Sequence, residues 1–308
     1  MDSLKGQEIF TYNNNMPQPL SSTYFVKKPQ FRFRLSSVFI FIAAALVAWV
    51  SAFSGQTAFP SQNLVPYIFR TAIILIIDLA LIYVSFRLLK QNNLSKEALG
   101  LNVSNKAIAD ILRGALIGIL SIATIAAVLF VYVPYHFVTG PLSCSQALQE
   151  ISSYVLINSL EELMFRGFLF IICCQLAGWR LSVLIMALPF GLFHLQGTGF
   201  NMNGLKMFAT TACYSFVFSL SYVLFRSMWA SISVHVVSNI LLHTVTGLDG
   251  ANKALLMPVF EKDWPKGYDT GLTVFIFSTV IISGLLFLLI ILSGKKLRST
   301  GRPGLPNL

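Results

Sequence analysis

Two adjacent glutamates stand inside an apolar run, Leu160-Glu161-Glu162-Leu163-Met164-Phe165-Arg166. Ionisable side chains at membrane depth are costly and rare, so each raises a functional question. Glu162 and Arg166 are four apart, share one helix face and can pair. Glu161 is turned about 100° from Glu162 by the helical pitch. A carboxylate shielded from water and without its own cation is suited to take a proton from water near neutral pH. The structural alternative is a Glu–Arg pair with a second Glu facing a neighbouring helix.

Two further runs carry polar groups. Phe190-Gly191-Leu192-Phe193-His194 ends on a histidine, which alone reads as a structural side chain bonded to a carbonyl. In His235-Val236-Val237-Ser238-Asn239 the first and last residues share a helix face. Such a pair can bind a metal, hold an oxyanion or bond across to another helix. Asp78 and His243 complete the set of polar groups in apolar segments. Each has a bland explanation singly. Together, rare polar groups on three segments favour one shared wet pocket. Glu, two His and an Asn match peptide hydrolysis, in which a base takes a proton from water and donors hold the oxyanion.

The elements that must position these groups are membrane spans. Of 308 residues, 55% are apolar and only 11% charged, against roughly 25% charged in soluble domains. The apolar residues fall in blocks near the 20 residues a helix needs to cross a bilayer. The expected fold is an all-α, polytopic transmembrane bundle of about eight spans: about 36–54, 67–89, 110–133, 148–174, 181–198, 205–225, 229–245 and 271–293. Residues 1–35 are expected to form a polar cytoplasmic tail, 36–294 the membrane domain and 295–308 a basic cytoplasmic tail. No cleavable signal peptide is expected, because the first apolar block follows a long polar tail.

The net charge of +10 follows from basic residues flanking the spans, which points to topology and not to nucleic acid. Alternate loops hold Lys27, Lys28, Arg32 and Arg34; Arg87, Lys90, Lys96, Lys106 and Arg113; Arg180; Arg226; and Lys295, Lys296, Arg298 and Arg302. The intervening loops hold few. Cytoplasmic loops carry the Lys/Arg excess, so both termini are expected in the cytoplasm. The four cysteines form no CxxC, and neither a disulfide framework nor a thiolate metal site is expected.

The ordered motifs Glu161-Glu162-x-x-x-Arg166, Phe190-x-x-x-His194 and His235-x-x-x-Asn239 resemble the CPBP family, also called Abi. This family of CAAX-protease and bacteriocin-processing enzymes comprises intramembrane proteases. Leu99-Gly100-Leu101 is similar to a Leu-Gly-Leu of bacterial members, and the resemblance covers roughly 95–245. It implies that Glu161 and His194 activate the attacking water. His235 and Asn239 would stabilise the oxyanion, while Glu162 and Arg166 order the helix and tune Glu161. The family is often labelled metalloprotease. A Zn site would need Glu161, His194 and His235, with a fourth position for water; a metal-free glutamate mechanism is favoured. The implied partners are a peptide or protein substrate in or at the membrane and the lipid bilayer, and the implied setting is a bacterial cytoplasmic membrane.

His235 stands about six residues from the basic end of its span, which suggests a pocket opening toward the cytoplasm. His194 stands about 14 residues past Arg180, or near 20 Å along a helix. These depths conflict unless the fifth helix starts outside the bilayer core or is bent at Pro189. The competing functions are a transporter or ion channel, which needs a polar path joining Asp78 to the motifs, and a non-catalytic immunity or scaffold factor.

Overall fold

A computed structural model describes residues 31–58, 64–197, 199–250, 253–261 and 270–299. Residues 1–30 and 300–308, where most of the expected tails fall, lie outside the described residues.

Among the described residues the architecture is eight long helices and one pair of short strands. These are α1 (Leu35–Ala58), α2 (Leu64–Gln91), α3 (Asn105–Tyr132), β1 (Tyr135–Thr139), α4 (Cys144–Arg166), α5 (Phe168–Phe193), α6 (Met202–Phe225), α7 (Met228–Asn239), β2 (Leu256–Phe260) and α8 (Thr270–Ser299). Seven helical stretches are long and apolar enough to cross a membrane, and one of them, Cys144–Phe193, contains both α4 and α5. Large apolar side chains such as Phe39, Ile76, Leu112, Leu184 and Leu285 cover the outside. In water that belt would be a liability; in a bilayer it faces acyl chains. The chain is an integral membrane protein.

The path of α4 and α5 resolves the conflict of depths. The helix breaks at Gly167 but continues for another ten residues. It reverses at Gly178, whose φ of 77° and ψ of 160° lie in a region that only glycine occupies freely. Contacts across the hairpin are symmetric about this glycine: Cys174 bonds Ser182, the Phe165 and Phe190 rings meet, and Glu161 faces His194. The fourth span therefore runs past Arg166 to the turn, and α5 climbs back until His194 is level with Glu161. Pro189 lies within the returning helix and does not end it.

Helix α7 is the shortest of the eight and is held from two sides. At its start, Met228 N–H donates to the Gly100 carbonyl at 3.1 Å, so the Leu-Gly-Leu loop caps the helix that carries His235. Along its length it lies directly on α3. A side chain at Gly114 would meet the Ala230 carbonyl at 2.4 Å, and one at Gly118 the Val234 carbonyl at 3.0 Å. Small residues at such crossings let helix backbones approach closely in membranes.

The two ends of the bundle differ in charge. At one end, Arg34 N–H donates to Asn92 Oδ1, Lys106 Nζ to the Phe225 carbonyl, and Arg180 lies against Phe287 of α8. These contacts gather Arg32, Arg34, Arg87, Lys90, Lys96, Lys106, Arg113, Arg180 and Arg226 at one basic end, among the described residues. The opposite end carries β1 paired antiparallel with β2, with Tyr135 opposite Phe260. Its described cations are Arg70, Lys206 and Lys253, accompanied by Glu150, Asp249 and Glu261. The two-stranded pair is the departure from an all-helical chain.

Candidate active site

Glu162 is the hub of the buried polar core. Its Oε1 accepts from Arg166 Nη1 at 3.2 Å and from His235 Nδ1 at 2.9 Å; its Oε2 accepts from Ser231 Oγ at 2.5 Å. Arg166 is fully buried and uses its remaining donors on the Ser215 carbonyl at 3.1 Å, Ser215 Oγ and Ser219 Oγ at 3.3 Å. Its guanidinium lies 4.4 Å from the centre of Phe190 and 5.1 Å from that of Phe218. A buried ion pair is tolerable when hydrogen bonds answer its remaining valences, and here each carboxylate oxygen has a donor.

Glu161 sits one residue earlier and is answered differently. Its Oε2 is buried and has no hydrogen-bond partner among the described residues. Two imidazole nitrogens face it, His194 Nε2 at 3.8 Å and His235 Nε2 at 3.9 Å. The tautomers follow from the other ring nitrogens. His194 Nδ1 lies 2.8 Å from the Phe190 carbonyl and must donate to it. His235 Nδ1 lies against the Glu162 carboxylate and donates likewise. Both rings therefore turn Nε2 toward Glu161. The separations are too long for direct hydrogen bonds, and they suit a water about 2.8 Å from each.

The same donors are of the types that bind Zn. Bonds of about 2.0–2.2 Å to a tetrahedral ion would, however, bring paired ligand atoms to about 3.3–3.5 Å of each other. The observed 3.8 and 3.9 Å are wider, and among the described residues no set of three His, Cys, Asp or Glu has metal-binding spacing. The residues as arranged do not fit a closed metal shell, and no step is derived through one.

Asn239 lies one turn beyond His235, and its Nδ2 donates to Asn158 Oδ1 at 3.2 Å. That bond uses one of its two N–H donors. A cavity of about 580 Å³ reaches this group. Phe190, His194, Phe218, His235 and Asn239 line its inner part, and Ile122, Ile125, Leu129 and Phe275 form an apolar wall. Asn203, Lys206, His243 and Asp249 surround its outer part. His243 bonds Asp249 through Nδ1 at 2.5 Å and stacks on Tyr154. Asp78, buried in α2, is not among the residues lining the cavity.

The three predicted segments thus meet at one place. Sequence reasoning missed Asn158, Ser231, Ser215 and Ser219. Serine and asparagine are ordinary in membrane helices, and nothing marks these four before the helices are packed. It also left out the His235–Glu162 bond, which makes Glu162 a positioning group for an imidazole as well as a partner of Arg166.

The fold is that of an integral membrane protein with a buried polar site. Residues 143–241, which contain all three motifs, match the family described as Rce1-like, type II CAAX prenyl endopeptidase Rce1-like. That segment belongs to the CAAX-protease (CPBP) family. No curated protein matches the chain.

Proposed function

We propose that the chain is an intramembrane endopeptidase that hydrolyses a peptide bond of a protein or peptide substrate at the membrane, with Glu161 as general base. The observation that carries this is the approach of His194 Nε2 and His235 Nε2 to Glu161 Oε2, with both histidines lining the inner end of a cavity. A water between them donates to Glu161 and His194 and turns its lone pair toward the cavity. Glu161 takes one proton as the oxygen attacks the scissile carbonyl carbon. The tetrahedral oxyanion is met by the free N–H of Asn239 and by an Nε2–H of His235 that the ring carries throughout, its Nδ1–H being held by Glu162. The proton on Glu161 passes to the departing amine, leaving one acid and one amine product. Glu162 and Arg166 orient His235 and do not touch the reacting atoms.

The test is cleavage of a peptide library by the purified protein in detergent, wild type beside Glu161→Gln, each with and without a strong chelator. Loss of a general base costs typically about 10²–10⁴ in rate. The expected result is a loss of that size in the variant at unchanged thermal stability, and wild-type cleavage indifferent to chelator. Equal cleavage by both proteins would overturn the assignment. Chelator-sensitive cleavage restored by Zn²⁺ would replace it with a metal mechanism.

A further inference from the structure

We propose that the cavity is loaded from the membrane face opposite the basic end, the non-cytoplasmic face, and so takes an exported or membrane-inserted polypeptide whose scissile segment is apolar. The word substrate here rests on the protease reading; the sidedness does not. The first argument is burial along the cavity. Its inner residues Phe190, Tyr214, Phe218, His235 and Ser238 are buried, whereas Asn203, Asp249 and Gly271 at its other extreme are exposed. Asn203 and Gly271 stand where α6 and α8 begin, and Asp249 in the stretch between α7 and β2, at the end that carries the β1–β2 pair.

The second argument is what closes the other direction. Between the site and the basic end lie the Glu162–Arg166 pair and the fully buried Leu163, Phe168, Phe170 and Tyr222. Tyr222 in turn donates to the Ala98 carbonyl of the basic-end loop at 2.5 Å. A peptide arriving from the basic end meets packed side chains; one arriving from the opposite end meets an apolar wall that leads to Glu161. The third argument is charge. Nine described cations mark one end, and the Lys/Arg excess marks the cytoplasm. The shallow depth of His235 in α7 suggested the reverse, a mouth at the basic end. The buried side chains between the site and the basic end argue against it.

The experiment uses the full chain in the membrane of intact cells and a membrane-impermeant sulfonated maleimide. Cys144, exposed at the start of α4, is a native reporter of the end with the mouth. In a Cys144→Ser background, Asn203→Cys reports the mouth, Thr210→Cys the cavity wall, and Gln91→Cys the basic end. The expected result is labelling of Cys144, Asn203→Cys and Thr210→Cys in intact cells, with Gln91→Cys labelled only after permeabilisation. Adding Glu161→Gln to each variant should leave the pattern unchanged, since labelling needs no catalysis. The reverse pattern overturns the proposal. So does labelling of Asn203→Cys without Thr210→Cys, because the cavity would then be shut from that face. Expected labelling together with failure of every cleavage assay would retire the protease reading and leave the sidedness standing.

Discussion

Glu161 and Glu162 are the same side chain one backbone step apart, yet they occupy opposite environments. Glu162 is wholly buried and receives three donors on two oxygens, from Arg166, His235 and Ser231. Glu161 is partly exposed and faces two imidazole nitrogens at 3.8 and 3.9 Å, with no hydrogen-bond partner on Oε2 among the described residues. The helical pitch alone separates them, since about 100° of rotation sends one carboxylate into the α6–α7 interface and the other toward the cavity. The lesson is one of division of labour. The satisfied carboxylate ties α4 to α7 through Ser231 and His235 and, by way of Arg166, to α6, and this packing holds the unsatisfied one opposite the two imidazoles, where the proposed mechanism needs it.

The largest effect should separate the two carboxylates by kind. Glu161→Gln should remove cleavage by about 10²–10⁴ with little change in thermal unfolding. Glu162→Gln should destabilise the protein, because Arg166 is then left buried without its anion. Parallel rate and unfolding measurements would break the comparison if both variants lost stability equally.

Next comes Arg166→Met, which strands the Glu162 carboxylate. Breaking one side of a buried pair costs about 3–5 kcal/mol. The double variant with Glu162→Gln should cost less than the sum of the two single changes, as expected for groups in direct contact. Additive unfolding energies would show that the pair is not coupled.

Asn239→Ala should lower kcat by about 10²–10³, the usual loss of an oxyanion donor, with KM nearly constant. A change in KM alone would make Asn239 a binding group instead.

The smallest effect should fall on the hairpin. Gly178→Ala forces an L-residue into a glycine-only backbone region, at about 1–3 kcal/mol. Nothing lies within 4 Å of the added methyl, so the loss should come from the backbone alone. Cleavage per folded molecule should be retained, and its loss would mean that the turn sets the level of His194 more tightly than the comparison supposes.

Much of the fold was legible because the bilayer imposes a coarse rule. Apolar blocks near 20 residues and alternating basic loops gave the helices and placed the basic residues at one end. The continuation past Arg166 and the reversal before Arg180 were legible as spans 148–174 and 181–198, but the break at Gly167 was not, because glycine is common in membrane helices. Among the site residues, Glu161, His194, His235 and Asn239 stood out because polar groups are rare at that depth. Asn158 and Ser231 did not, because their types are unremarkable there.

The sequence by itself determined that the chain lives in a membrane, which face of α4 carries Arg166 beside Glu162, and which rare polar groups needed an explanation. These follow from local rules of hydrophobicity and helical pitch. Only the tertiary structure decided that His235 bonds Glu162, that both histidines turn Nε2 toward Glu161, and that the exposed residues of the cavity include Asn203 and Gly271 at the starts of α6 and α8. Those outcomes depend on the relative depth of helices, which is fixed by the length of the α4–α5 hairpin and the close crossing of α3 and α7, and no single segment encodes it.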